Sequence, residues 1–146
     1  MKGLLLLAFT AGAVLAVQSV VNARLGEKLG NPTMAGLASF IIGLIGLLFY
    51  LLATRTPLPA SATLLRVPLW AWTGGLLGAL YVVVTIVTVP RIGVGALTGL
   101  VIGGQITLSI VLDHFGLLGL ERHPISLGRL AGAALLLIGV FLVKRF

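Results

Sequence analysis

MAGLASFIIGLIGLLFYLLA, residues 34–53, runs for twenty positions without a charged side chain. Twenty helical residues rise about 30 Å, the thickness of a bilayer's hydrocarbon core, and a helix satisfies its own backbone groups where water is absent. Lipid is therefore the solvent that suits this stretch. Four more apolar stretches of comparable length accompany it, at about 3–23, 70–89, 93–113 and 127–143. Together they predict an all-α integral membrane protein, a single transmembrane domain over 1–146 with five transmembrane helices.

Composition agrees, with 59% hydrophobic and 9% charged residues against the quarter charged that is usual in a soluble domain. Lys2 ahead of an apolar run resembles the start of a signal peptide. The run to Ala23 exceeds the roughly 7–15 residues of a signal core, so a retained helix is expected. Arg24, Glu27, Lys28 and then Asn31 and Pro32 are read as closing that helix. Arg55, Pro57, Pro59, Arg66 and Pro68 make the second connection polar and kinked, and Pro90 to Gly93 is read as the tightest turn. The fourth connection, from Asp113 to Ser126, carries a short apolar piece, Phe115 to Leu120, expected to lie in the interface. Ser126 is placed to cap the last helix, and Lys144 and Arg145 to end it on the side its dipole favours. Trp70 and Trp72 stand where an aromatic belt belongs.

The net charge of +7 is spread singly or in pairs between apolar runs, the pattern of headgroup anchors, and no nucleic-acid partner is expected. The chain has no cysteine, no phosphate-binding glycine loop and no dinucleotide fingerprint. His114, Glu121 and His123 lack a metal-ligand spacing, so neither metal nor cofactor is expected, and no nucleophile–base constellation suggests an enzyme. With five helices the termini fall on opposite sides of the membrane. One side then holds Lys2, Arg55, Arg66, Arg122 and Arg129, and the other Arg24, Lys28, Arg91, Lys144 and Arg145. A tie of five against five removes the bias that normally orients a membrane protein. Insertion both ways round would let two copies pair as an antiparallel, dual-topology homodimer of ten helices, an inverted repeat made from two chains.

Small and polar residues at helical spacing mark faces that meet protein or water rather than lipid. Gly36, Ser39, Gly43, Gly46 and Tyr50 form one such stripe, and Gly74, Gly78, Tyr81, Thr85 and Thr88 another. Gly95, Gly99 and Gly103 form a tandem ridge expected to pack helices, with Gly132 and Gly139 thinning one side of the fifth. Gln18 and Asn22 share a face of the first helix, while Thr98, Gln105 and Ser109 run along the fourth toward Asp113. An unpaired amide in hydrocarbon costs several kcal/mol, so these amides should face a partner or a wet cavity. Asp113, near a helix C-terminus, opposes the helix dipole and needs compensation from water, an arginine, His114 or a proton. Asp113 and His114 are the candidates for coupling or gating.

These residues also resemble a family. QSVVNARL from Gln18, GGLLGALY from Gly74, Pro90-Arg91-Ile-Gly93, Gly104-Gln105, Asp113-His114-Phe115-Gly116 and PISLGRL from Pro124 are similar in order and spacing to the YdcZ-like proteins of the drug/metabolite transporter superfamily. The resemblance covers essentially the whole chain. It implies a bacterial inner-membrane, multi-pass transporter of five helices, functioning as an antiparallel pair of like subunits or as paired or fused halves in relatives; transport of a small molecule by alternating access would follow from the symmetry of an inverted pair. The resemblance places Gln18, Asn22, Tyr81 and Gln105 along the substrate pathway, and the polar helix faces add Thr85 and Ser109 to the expected lining. The chain departs from the related small multidrug-resistance proteins in lacking a membrane-embedded glutamate in the first helix, which argues against proton-coupled export of cationic drugs. The rivals are a structural or assembly subunit, with these amides bonded to each other in a dry centre, and a flippase for a lipid-linked metabolite.

Overall fold

The computed structural model describes all 146 residues. It is entirely helical: α1 (Lys2–Leu29), α2 (Pro32–Ala53), a single turn α3 (Ser61–Leu64), a 3-10 segment (Leu69–Thr73) leading into α4 (Gly74–Ile92), α5 (Val94–Phe115), a short 3-10 turn (Leu117–Gly119) and α6 (Leu127–Arg145). Five of these segments are long and apolar enough to cross a membrane, the third counted from Leu69 through α4.

Two expected boundaries move. α1 continues past Ala23 for six more residues, because Arg24 and Glu27 do not break a helix that has already left the hydrocarbon. Twenty-eight residues span about 42 Å, more than a bilayer core requires. Arg24 and Glu27 instead form an exposed i,i+3 ion pair at 2.9 Å on this extension. Gly30, at φ +65°, ends the helix, its N–H donating back to the Glu27 carbonyl. Similarly, Pro90 lies inside α4 rather than in a turn. Proline's fixed φ is helical, so it fits the α4 backbone at the loss of the bond that an N–H at this position would have made to the Ile86 carbonyl. The break between α4 and α5 falls to Gly93 alone, at φ +81°.

The cap expected at Ser126 is present, and Asn31, expected only to close α1, caps α2. Asn31 accepts from the backbone N–H groups of Thr33 and Met34 with Pro32 at the first position of α2, and Ser126 accepts from Arg129 N–H at the start of α6. Lys144 and Arg145 lie in the last turn of α6.

The chain divides into two compact units, Met1–Pro90 and Arg91–Phe146. In the N-terminal unit α1 and α2 meet through Ser19, Asn22, Ala23 and Gly26 on one side and Ala35 and Gly36 on the other. α4 seals this end, with Val82 and Ile86 packed on Ala35 and flanked by Leu25 and Tyr81. A Cβ on Gly26 would come within 2.8 Å of Ile86, so glycine is what allows α4 to sit this close to α1. Away from the turn the two helices part: Gly12, Gly43 and Gly46 have no neighbouring atom within 4 Å of a Cβ position. In the C-terminal unit α5 and α6 pack through the glycine ridge, where Cβ atoms on Gly95, Gly99 and Gly103 would meet Val143, Val140 and Leu137 at 3.7, 2.9 and 2.8 Å. Gly132 and Gly139 meet nothing within 4 Å. Of the expected packing glycines, the three on α5 are thus the ones that touch a helix inside the chain.

Candidate functional site

Where α1 and α2 diverge, they leave a groove of about 350 Å³ lined by Gln18, Ser39, Phe40, Gly43, Leu44, Leu47 and Val82. Its size lies at the lower end of small-molecule sites. Its walls are apolar helix surface, and Gly43 keeps the α2 side thin. No charged residue lines it. At one end the Asn22 amide, 5% exposed, donates to the Ser39 hydroxyl at 3.1 Å. One turn along α1 lies the Gln18 amide, exposed and without a hydrogen-bond partner in the chain. The two amides therefore differ in role: Asn22 fastens α1 to α2, whereas Gln18 is available to whatever occupies the groove.

The other expected pathway residues divide between the units. Thr85 is buried beside the groove's Val82 and its hydroxyl donates to that residue's carbonyl, so the hydroxyl is satisfied within its own helix. Tyr81 is half-buried against the core of the N-terminal unit. In the C-terminal unit Gln105 and Ser109 are exposed, Ser109 donating to the Ile106 carbonyl. Ser39 was legible as part of a small-residue stripe, and its position four residues before Gly43 is the signal that places it beside the groove. Gly26 lies beyond the expected end of α1 at about residue 23, so the sequence pattern assigns it to no packing face.

A second groove, about 400 Å³, runs along the C-terminal unit, lined by Gly95, Gly99, Ile102, Leu135, Leu136, Gly139, Val140 and Val143. It is larger but carries no polar side chain with which to orient a solute. Hydrocarbon chemistry alone, a lipid tail or an apolar helix, suits it.

Asp113 finds its compensation in an arginine. Its carboxylate pairs with Arg129 of α6, both side chains keeping about a third of their surface accessible, 28% and 33%. His114 lies beside this pair, its ring edge-on to Phe115 with centroids 4.7 Å apart. No group of three or more histidine, cysteine or acidic residues is arranged to hold a metal.

Among known proteins, the chain matches the family described as "Putative inner membrane exporter, YdcZ" over residues 3–142. No curated protein and no solved structure matches it.

Proposed function

The chain belongs to the YdcZ family of inner membrane exporters, and from that premise we propose that it is a small-molecule transporter whose working form is an inverted homodimer. Membership makes it a multi-pass inner-membrane protein of a transporter family. The mechanism is our reading. In an inverted pair the outward-open conformation of one subunit corresponds to the inward-open conformation of the other, so an exchange of conformations turns the pathway over by symmetry. The balanced distribution of lysine and arginine supports insertion in both orientations.

The observation that carries the transport reading is Gln18, an unpaired amide on the wall of an uncharged groove. Leaving it without a partner in hydrocarbon is costly, so its neighbour in the membrane is a polar atom of a solute, of water or of a second subunit. A structural subunit would pair it with a polar group of a partner in a dry centre, whereas a transporter leaves it facing water or solute. The absence of charge in the lining favours an uncharged solute with one or two hydrogen-bonding groups on an apolar body. Gln105 and Ser109, exposed on α5, are the polar groups that the C-terminal unit offers to a solute.

The test compares extracellular small-molecule profiles of cells expressing the wild type and the Gln18→Leu and Gln105→Leu variants, each checked for folded protein in the membrane. An uncharged solute enriched outside wild-type cells and lost in both variants supports the pathway. Identical profiles remove the two amides from it, and enrichment of a lipid-linked species would replace the transporter by a flippase.

A further inference from the structure

The connection between α5 and α6 is bonded back onto the end of α5 at several points. His123 N–H donates to the Asp113 carbonyl at 2.8 Å, and Ile125 N–H donates to the ring nitrogen Nδ1 of His114 at 3.2 Å. Arg122 Nε donates to the His114 carbonyl at 2.9 Å. Arg129 reaches the His123 carbonyl at 3.0 Å with Nη1 while its Nη2 holds the Asp113 carboxylate. His123 Nδ1 lies 3.0 Å from the Glu121 carbonyl.

One of these acceptors differs from the rest. Carbonyl oxygens accept at any pH, but an imidazole nitrogen accepts only while it has a free lone pair. Because Ile125 N–H donates to Nδ1, the His114 ring is neutral with its proton on Nε2. Protonating Nδ1 would set one N–H against another and remove the bond. His123 behaves oppositely: its Nδ1 faces a carbonyl, so it donates, and that bond survives protonation. The residue that holds Ile125 is thus of the one side-chain type whose charge changes between about pH 5 and 8.

We propose that the His114–Ile125 contact is a proton-released clasp: closed while His114 is neutral, it frees Ile125 from the end of α5 when His114 gains a proton, while the attachments of Arg122 and His123 stay in place. The surrounding charges favour release over a new attachment. On α5 the adjacent acid is Asp113, already engaged by Arg129 of α6. From the connection come Arg122, fixed on the carbonyl of His114 itself, together with Glu121 and His123. Both arginines of this cluster are thus held on other acceptors, and Asp113 is occupied by Arg129. The Asp113–Arg129 pair and the His123 N–H bond remain, so what opens is the loop between them and α6, not the packing of the two helices.

Hydrogen–deuterium exchange of the full chain in lipid nanodiscs, between pH 5 and 8, tests the clasp. Rates for the peptide containing Ile125 are divided by those of an unstructured peptide of the same sequence, which removes the chemical pH dependence. Protection at Ile125 should fall about tenfold between pH 8 and pH 5, the loss expected for one ordinary hydrogen bond. In His114→Asn the side-chain oxygen stands near the place of Nδ1 and does not titrate, so protection should persist at every pH. His114→Phe should be unprotected throughout, and His123→Asn should keep the wild-type profile. A flat wild-type profile, a step that survives in His114→Asn or a step abolished by His123→Asn overturns the proposal. The wild-type profile alone decides it if a variant does not fold.

Discussion

At the residue scale, two polar contacts tie spans together, and they should behave differently on mutation. Asn22 is buried, and its bond to Ser39 joins α1 to α2 where they also pack. Asn22→Leu should destabilise the protein by about 0.6–2 kcal/mol, the range for hydrogen bonds between membrane helices, read as a lower midpoint of unfolding in detergent. A double-mutant cycle with Ser39→Ala should recover most of that loss as coupling energy. Asp113 and Arg129 form an ion pair, but each keeps about a third of its surface accessible. Water can rehydrate the survivor, so Arg129→Leu should cost only about 1 kcal/mol, and high salt should shrink the difference from wild type. A loss several-fold larger in the same unfolding assay would mean that the pair is sealed from water in the assembled protein.

At the element scale the α5 ridge and the α6 glycines separate cleanly. A methyl group on Gly99 would stand 2.9 Å from both Val140 methyls, whereas one on Gly132 would meet nothing. Gly99→Ala should therefore destabilise by about 1–3 kcal/mol through overpacking while Gly132→Ala is neutral or slightly stabilising, both read from thermal unfolding in detergent. If Gly132→Ala proves as harmful as Gly99→Ala, the open side of α6 is occupied by another subunit in the assembled protein. The sequence pattern equated these glycines because spacing places residues on a face without saying what the face meets. Helix ends were misjudged for a related reason. Charges at Arg24 and Glu27 mark where α1 leaves the hydrocarbon, but a helix in water tolerates an Arg–Glu pair, and only Gly30 stops it. Ser126 is legible as a cap because capping is a local bond within a few residues, whereas Asn31, expected only to close α1, also caps α2.

For the whole molecule, orientation is the property on which the proposed mechanism turns. The chain has no cysteine, so Thr33→Cys, in the first turn of α2 beside its connection to α1, and Thr63→Cys, between α2 and α4, introduce single reporters without altering the charge balance. On intact cells a membrane-impermeant thiol reagent should label a fraction of each, the two fractions adding to the whole if both orientations are made. Complete labelling of one site and none of the other would show a single orientation and remove the inverted homodimer. Moving one charge is a second check: Arg66→Gln lowers the count on one side from five to four and should shift the labelled fractions in the direction the positive-inside rule requires.

The solvent, the helix content and the five-span count follow from sequence alone, because lipid imposes a length and a composition that any spanning segment displays without reference to its neighbours. The identity of the polar residues was also legible, since amides are conspicuous in an apolar run. What each one meets depends on which helix lies opposite, and local pattern does not carry that. Tertiary structure alone bonded Asn22 to Ser39, left Gln18 open on a groove, gave Asp113 to Arg129 and turned the ring of His114 toward the backbone of Ile125. These are contacts between residues 11–17 positions apart or on different helices. Such contacts are made by the packing of helix faces, and it is packing that separates a residue fastening the fold from one free to act.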